Sequence, residues 1–433
     1  MTFRVNNVSS HRLLTVLVLI AFAAAGYKVL NRTADSTFAV ATVKTPSSPN
    51  KPAGTAQTTR LEAQFVSSNP GQAVHAPSIV ELKNGSLRAV WFSGSREGAK
   101  DVTIQTAVMN LTSQRWEAET TLFNREQLER GMLRYVKKIG NPVIARAPDG
   151  SLHIWIVNVS LGGWAGSAIT WARSVDEGVT WSTPKRLVTS PFLNISTLVK
   201  GAPVAMADGS INLPVYHEFI TKFGEVLHVN AQGQVTGKTR IPGSRTSLQP
   251  VMLVASAVEA TAYMRASQGG KVVASSTSDA GKTWAQAAAI DLPNPGSALA
   301  GLVSSSGEKW LALNPTAAGR QSLALFKASS ASGFDSTQPL FIEGSGGSQS
   351  AVGTLPIADH AALLGRELKA QGASDADVQA YVASTARQLC GQAACVQEFS
   401  YPFLLETKDG SLHLVYTWHR SRIKHVRLGS SVD

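Results

Sequence analysis

The stretch His75-Ala-Pro-Ser-Ile-Val-Glu-Leu-Lys-Asn-Gly-Ser-Leu-Arg-Ala-Val-Trp-Phe-Ser-Gly-Ser-Arg-Glu-Gly-Ala-Lys-Asp-Val102 contains the pattern on which the whole chain is built. Two apolar runs of strand length, residues 78–82 and 87–92, flank the dipeptide Asn84-Gly85. That dipeptide tolerates the positive φ of a tight hairpin turn. The second run ends in a polar loop, and strands that end in charged loops present the sites of many folds. The stretch therefore predicts a β-hairpin that carries site residues on its loop.

The same strand–turn–strand unit is repeated along the chain. The copies are Pro77/Gly85, Pro142/Gly150 and Pro402/Gly410 with equal spacing, the shortened Pro203/Gly209, one at Pro250 without the turn Gly, and Ala298/Gly307 without the Pro. Six repeats of roughly 40–60 residues predict the blades of a propeller.

Composition excludes a mostly disordered or membrane-spanning chain, because 43% of the 433 residues are hydrophobic and 16% are charged. The formal net charge is +11, but residues 1–60 hold seven basic residues and one acid, a net of +6 that leaves +5 for the rest. Binding of nucleic acid needs basic residues clustered on one face. We therefore predict no nucleic-acid partner.

The first 30 residues have the composition of a targeting segment. An apolar run over residues 13–25 follows two arginines, and Ala23-Ala24-Ala25 offers a small-residue cleavage site. The run is either a secretory signal or, extended to residues 13–30, a short membrane anchor. Both alternatives predict an exported protein, periplasmic or extracellular. The membrane anchor would in addition attach it to the inner membrane. Residues 31–59 are predicted to form a flexible linker, and residues 60–433 the propeller.

Three segments depart from the repeat. Residues 60–67 form an extra strand before the first full repeat, and such a strand commonly closes a circular fold by completing the last blade. Residues 124–138 have helical composition and are predicted to be an insertion at a blade rim. Residues 355–397 interrupt the strand pattern, and Ser374 begins a helix there that runs to about Leu389.

Cys390 and Cys395 are the two cysteines of the chain. In an exported protein a pair five residues apart favours a local disulfide over a metal site, because so few other ligands are nearby. The sequence contains no zinc-binding or phosphate-binding motif, so we predict no metal and no cofactor.

Two Asp-box motifs of the form Ser/Thr-x-Asp-x-Gly-x-Thr-Trp lie at residues 174–181 and 277–284. The Asp of such a motif accepts backbone N–H groups across a hairpin turn, so we assign these motifs a structural role.

The Asp boxes, the repeated hairpins and the sequence Ser400-Tyr401-Pro402-Phe403 resemble the sialidase superfamily, in particular its BNR-repeat, sialidase-like proteins. The resemblance extends from about Ala73 to Leu428. It implies an all-β, six-bladed β-propeller with a site on the central axis, and an enzyme that acts on an acidic glycan or polysaccharide.

The resemblance also implies roles for single residues. Tyr401 matches the nucleophilic Tyr and Asp101 the acid/base of sialidases. Arg265 and Arg320 match two of the three arginines that bind the substrate carboxylate. Where the first of those arginines is expected, this chain has His75.

A second departure concerns the Glu that activates the nucleophilic Tyr in sialidases. It is expected near Leu248-Gln249-Pro250, where no acid is present, and Glu218 is a candidate substitute. Without an adjacent base or cation, a tyrosine phenol is a poor nucleophile at neutral pH.

The predicted site falls into two groups. The catalytic candidates are Tyr401, Asp101, His75 and Glu218. The substrate-binding candidates are Arg96, Glu97, Asn141, Trp164, His217, Gln249, Arg265, Arg320 and Arg420. Two reactions fit these residue types: hydrolysis, in which Asp101 protonates a glycosidic oxygen, and β-elimination from a uronate, in which His75 or Tyr401 removes the α-proton. A glycan-binding propeller without catalysis is the third alternative.

Overall fold

The repeated hairpins form the inner strands of six antiparallel sheets. The structure is a computed structural model that describes residues 7–30, 36–40, 59–190, 194–328, 333–334, 338–344 and 353–430. The strands of the first half are β1 (Thr59–Phe65), β2 (Ala73–Glu81), β3 (Leu87–Gly94), β4 (Thr103–Asn110), β5 (Arg115–Trp116), β6 (Thr120–Phe123), β7 (Lys138–Arg146), β8 (Leu152–Val159), β9 (Ser167–Ser174), β10 (Lys185–Arg186), β11 (Leu198–Val199), β12 (Val204–Ala205), β13 (Ile211–His217), β14 (Phe223–Val229) and β15 (Val235–Arg240).

The strands of the second half are β16 (Ser247–Val254), β17 (Ala260–Ala266), β18 (Gly270–Thr277), β19 (Ala288–Asn294), β20 (Ala300–Val303), β21 (Lys309–Leu313), β22 (Leu323–Ala328), β23 (Leu340–Glu343), β24 (Thr354–Pro356), β25 (Ala394–Val396), β26 (Phe399–Glu406), β27 (Leu412–Trp418) and β28 (Arg422–Ser430). The helices are α1 (Asn7–Leu30), α2 (Arg125–Met132), α3 (Ile357–Ala370) and α4 (Asp375–Leu389).

Six blades follow one another around a closed ring, which confirms the predicted six-bladed β-propeller. Strand β1 pairs with β28 from Thr59↔Ser430 to Phe65↔Lys424, so the first strand of the propeller completes the last blade, as predicted. The inner strands of neighbouring blades pack against each other, including β2 against β26.

Four of the inner strands carry the same bulge, in which the residue before the repeat Pro adopts a left-handed backbone. These residues are Ala76 (φ 54°), Asn141 (φ 40°), Gln249 (φ 54°) and Tyr401 (φ 54°), and the strand register shifts beside each of them. A residue before Pro normally prefers an extended backbone, so each bulge is strained. Bulges re-aim side chains, and strain of this kind is concentrated at functional sites.

Helix α2 and both Asp boxes match their predicted roles. Asn124 caps α2 by accepting a hydrogen bond from the Gln127 N–H at 2.9 Å. The carboxylate of Asp176 accepts the Thr180 N–H at 2.9 Å, and that of Asp279 accepts the N–H of residue 283 at the same distance.

The insertion before the last blade contains two helices, of which the sequence predicted α4 and not α3. Ser374 caps α4 by accepting the Asp377 N–H at 3.1 Å, and Cys390 and Cys395 form the predicted disulfide. His360 of α3 lies 3.4 Å from His419, measured between Nε2 and Nδ1, so the insertion packs on the last hairpin of the propeller.

The predicted linker, residues 31–59, lies mostly outside the described residues. Residues 36–40 are described, and Phe38 among them is 2% exposed. Its N–H donates to the Ala257 carbonyl at 2.8 Å, and its ring belongs to the same apolar cluster as Met206 and Trp284. This short stretch therefore packs on the propeller.

Within the part of the chain that the structure describes, no helix has both the length and the apolar content needed to cross a membrane.

Gly201, just after β11, packs closely against the inner strand of the next blade. A Cβ at this position would lie 2.2 Å from the Pro250 carbonyl oxygen of the next blade. We expect Gly201→Ala to lower the free energy of unfolding by about 2 kcal/mol, the usual cost of overpacking, as measured by urea denaturation. Gly429→Ala is the matched control, because a Cβ there meets nothing within 4 Å. Equal stability of the two variants would contradict the prediction.

Candidate functional site

Four polar side chains meet where the inner strands converge. The amide nitrogen of Gln249 donates to the hydroxyls of Tyr216 and Tyr401, each at 3.3 Å, and the Asn141 amide donates to the Tyr216 hydroxyl at 3.3 Å. Three of these residues stand before the repeat Pro, which is why the sequence identified them. Tyr216, at the end of β13, was not predicted. Together with His75 they form the group that we call the hub cluster.

His75 packs against Tyr401, with ring centroids 4.1 Å apart and ring planes tilted by 49°. Its Nδ1 lies 3.0 Å from the Thr417 hydroxyl, and its Nε2 is buried without a hydrogen-bond partner among the described residues. Burial, with the charges of nearby cations, lowers the pKa of His75 well below 6.5. His75 is therefore a neutral imidazole at physiological pH, and a neutral imidazole can accept a proton.

The charges of four cations act on the buried imidazole of His75. In order of effect they are Arg420, Arg320, Lys200 and Arg265. The three arginines were predicted to bind substrate, and we call them the clamp arginines.

A buried carboxylate, Glu398, joins two of the clamp arginines. It lies 3.1 Å from Arg320 Nη1 and 3.0 Å from Arg420 Nε, and the Ser400 hydroxyl donates to it at 2.7 Å. Burial raises the pKa of Glu398, but the two guanidinium groups outweigh burial and lower it below 4.5. Glu398 was not predicted from the sequence, although its place three residues before Tyr401 was a usable signal.

The last hairpin presents Arg420 to the site through an unusual turn. His419 (φ 47°) and Arg420 (φ 53°) both have left-handed backbones in the three-residue turn 419–421, although neither is a glycine. Arg420 Nη1 donates to Glu97 at 3.0 Å. This ion pair joins the loop of the first blade to the last blade.

Arg265 and Glu218 lie near each other at the ends of neighbouring blades. Arg265 Nη1 donates to the Gly296 carbonyl at 2.5 Å. Burial raises the pKa of Glu218, although the charges of Lys222 and Arg265 act to lower it. A carboxyl group with a raised pKa is suited to carry a proton near neutral pH.

Trp164 packs against the strand that carries Asn141, and its predicted role in stacking on a sugar stays a prediction. Its ring is 3.1 Å from the position that a Cβ on Gly140 would occupy, next to Asn141. Lys138 Nζ is 5.9 Å from the centroid of the Trp164 ring.

Three predicted residues are not joined to the hub cluster by the contacts of the described residues. Asp101 is exposed and accepts hydrogen bonds from the N–H and hydroxyl of Ser95, both at 2.9 Å. Arg96 is also exposed. His217 stacks on Phe223 with centroids 4.7 Å apart, on the opposite face of the strand from its neighbours Tyr216 and Glu218. Their assigned roles stay predictions.

Comparison with known proteins agrees with the fold. The model of the BNR repeat-like domain family matches residues 85–414. No curated protein sequence matches the chain.

Among solved structures, the chain is similar to three proteins. A Hadza microbial sialidase has a TM-score of 0.59 and 14% identity over 82% of this chain and 65% of that one, so the chain spans less than two thirds of its length. A protein of unknown function from Dyadobacter fermentans has a TM-score of 0.61 and 11% identity over 86% and 98%. The NanB sialidase from Streptococcus pneumoniae has a TM-score of 0.56 and 11% identity over 84% and 70%. At these identities the likeness shows the fold. The chain therefore belongs to the BNR repeat-like domain family and is a sialidase-like β-propeller protein.

Proposed function

We propose that the protein is an exported glycoside hydrolase that acts on an acidic sugar or polysaccharide, with Tyr401 as nucleophile and Asp101 as acid/base. One observation carries the proposal: the Tyr401 hydroxyl is held by Gln249 in the hub cluster, and the three clamp arginines act on the same cluster. A nucleophile beside several guanidinium groups suits a sugar that carries a carboxylate.

The reaction proceeds in two steps. The Tyr401 hydroxyl loses its proton to solvent, and its oxygen attacks the anomeric carbon while the bond to the glycosidic oxygen breaks. The glycosidic oxygen takes the proton of Asp101. Water then attacks the same carbon and gives its proton to the Asp101 carboxylate, and the C–O bond to Tyr401 breaks. Two displacements at one carbon release a sugar with retained configuration.

Arg265 is the clamp arginine best placed to bind the substrate carboxylate. Arg320 and Arg420 share the Glu398 carboxylate, whereas Arg265 makes no ion pair within 4.0 Å in the described part of the chain. We expect Arg265→Met to raise KM for a carboxylated substrate by about tenfold, because a charge-assisted hydrogen bond contributes about 1.5–3 kcal/mol. The methyl ester of the same substrate should show a smaller change.

The matched control is Arg245→Met, an exposed arginine just before β16. An equal rise of KM for the acid and its ester, or for both variants, would show that Arg265 does not bind the carboxylate.

β-Elimination from a uronate is the second candidate, and the Nε2 of His75 favours it. This nitrogen is buried, neutral and unpartnered among the described residues, beside Tyr401. As a base it would remove the proton α to the carboxylate. The β C–O bond would then break, the leaving oxygen would take a proton from water, and a C=C bond would form in the sugar. Gln249 also stands where sialidases are expected to have the activating acid.

A product test separates these reactions. The full-length protein is incubated with sialoside and uronate glycans, and both reducing sugar and the absorbance of an unsaturated sugar are followed. Hydrolysis predicts reducing sugar without the new absorbance. The absorbance itself would establish elimination and overturn the hydrolase proposal. Binding of these glycans without either product would establish the glycan-binding alternative.

A further inference from the structure

The disulfide of the helical insertion lies beside a buried histidine. Strand β24 pairs with β25 so that Leu355 stands opposite Cys395, and α3 begins two residues after Leu355. His360 is the fourth residue of that helix. One ligand atom from each of His360, Cys390 and Cys395 lies within 4.8 Å of the other two. We call these three side chains the insertion triad.

The insertion triad is assembled by the fold and is buried. Cys390 is the residue after α4, and its N–H donates to the Ala386 carbonyl at 3.1 Å. The triad therefore joins α3, the end of α4 and β25. His360 is 2% exposed and Cys395 is 1% exposed. Among the described residues, no other group of three or more His, Cys, Asp or Glu side chains brings its ligand atoms so close together.

The residue types of the insertion triad select one class of metal ion. Thiolate sulfur and imidazole nitrogen are ligands of zinc, and two cysteines with one histidine leave a fourth position for water. Calcium and magnesium prefer oxygen ligands, which these three side chains do not offer. Ligand atoms around a tetrahedral zinc lie roughly 3.5–3.8 Å apart. The triad is compact enough for this geometry once the S–S bond is open.

His419 supports His360 from the last hairpin. Its Nδ1 accepts the Glu398 N–H at 3.5 Å and lies 3.4 Å from His360 Nε2. Because His419 Nδ1 is an acceptor, the proton between the two rings belongs to His360 Nε2. The other nitrogen of His360 then carries the lone pair that a metal requires. A histidine that binds a metal usually donates its second ring N–H to such a partner, which fixes the tautomer.

We propose that the insertion triad binds one zinc ion when its disulfide is reduced, so that Cys390 and Cys395 alternate between a disulfide and a metal site. The proposal is independent of the proposed hydrolase chemistry. A dithiol reductant opens the site. Its two thiols become a disulfide, and the S–S bond of the protein takes up two electrons and two protons to give two thiols. Zinc then binds the two thiolates, and two protons pass to solvent.

Zinc would join elements that the disulfide does not. The disulfide connects the end of α4 to β25, whereas the metal would also bind His360 of α3. His360 in turn contacts His419, the neighbour of the clamp arginine Arg420. The metal would therefore hold both inserted helices beside the last hairpin while the cysteines are reduced.

The test titrates the untagged full-length protein with Co²⁺, whose bonds to thiolates absorb in the near ultraviolet. The protein is reduced with dithiothreitol, which is then removed in the absence of oxygen. We expect a charge-transfer band that saturates at one Co²⁺ per chain and disappears when Zn²⁺ replaces Co²⁺. The oxidised protein should give no band, because a disulfide has no thiolate. A reduced protein without the band, or loss of its helical circular dichroism on reduction, would overturn the proposal.

Variants test the ligands one at a time. Cys390→Ser should abolish the one-to-one band. We expect His360→Ala to raise the Kd for Co²⁺ on the order of 100-fold, because even the loss of a group that only supports a ligand costs 10–100-fold. His153→Ala is the matched control, since His153 is buried in the second blade, and it should bind Co²⁺ as the wild type does. His360→Asn keeps a polar side chain and is measured if the Ala variant does not fold. Equal affinities of the His360 and His153 variants would exclude His360 as a ligand.

Thiol reactivity provides a readout that does not depend on Co²⁺. Without metal, the reduced protein should offer two thiols to an alkylating reagent. Zn²⁺ should slow their alkylation about tenfold or more in the wild type and in His153→Ala, because a metal-bound thiolate is a poorer nucleophile than a free one. An alkylation rate that Zn²⁺ leaves unchanged would show that the cysteines do not bind the metal.

Discussion

Tyr401→Phe should lower kcat/KM for an acidic glycoside on the order of 10³-fold or more, because removal of a nucleophile abolishes the covalent route. The fold should change little. The hydroxyl receives one hydrogen bond in the described structure, from Gln249 at 3.3 Å, and loss of such a bond costs about 1 kcal/mol. Initial rates and a thermal melt of the same preparation measure the two effects.

Tyr381→Phe is the matched control for this prediction. Tyr381 lies in α4 outside the hub cluster, it is 1% exposed, and its hydroxyl has no partner among the described residues. It should therefore keep full activity. A Tyr401→Phe protein as active as this control would exclude Tyr401 as nucleophile.

Glu398→Gln should cause the largest loss of stability, about 3 kcal/mol at pH 7. The carboxylate holds two guanidinium groups at 3.0–3.1 Å while it is 7% exposed. Removing one member of a buried ionic network leaves the other charges uncompensated. Urea denaturation of both proteins measures the difference. Glu406→Gln is the control, because Glu406 accepts hydrogen bonds from the uncharged Ser305.

The contribution of Glu398 to the free energy of unfolding depends on pH, and it decreases as the pH falls. Its pKa in the folded protein is lower than its ordinary value of 4.5. The unfolded chain therefore binds the proton first as the pH falls. The stabilisation is fully present above pH 4.5 and is lost as the pH falls through the folded pKa. We expect the difference between wild type and Glu398→Gln to shrink below about pH 4.5. A difference that stays constant down to pH 3 would show that Glu398 contributes through packing and not through charge.

The fold could be predicted because its signals are local. Each hairpin is encoded by a Pro, an apolar run and a turn residue within about a dozen positions, and each copy supports the others. Ring closure followed from one unmatched strand before the first repeat. Helix α3 was missed because it begins at Ile357 after a Pro, without the side-chain cap that marked Ser374.

Site residues could be predicted where they occupy the same position in several repeats. They were missed where the register of a strand decides which of two adjacent side chains faces the site. Asn141, Gln249 and Tyr401 occupy one position of the repeat, so one inference placed all three. Tyr216 and His217 are adjacent in sequence but project to opposite faces, and a shift of one residue would exchange them.

The other residues that were not predicted depend on contacts between blades. Glu398 and Lys200 each make a hydrogen bond to another blade, Glu398 with Arg320 and Lys200 with Pro402. Such partners are far apart in sequence, and only the curvature of the closed ring brings them together.

The pairing of β1 with β28 also fixes the order in which the domain can be completed. Residues 59–65 leave the ribosome long before their partner, residues 422–430. During translation the earlier blades can form one after another, but the ring stays open until β28 has been synthesised. Strand β1 therefore remains unpaired while more than 350 further residues are added, and an unpaired strand edge can pair with other chains.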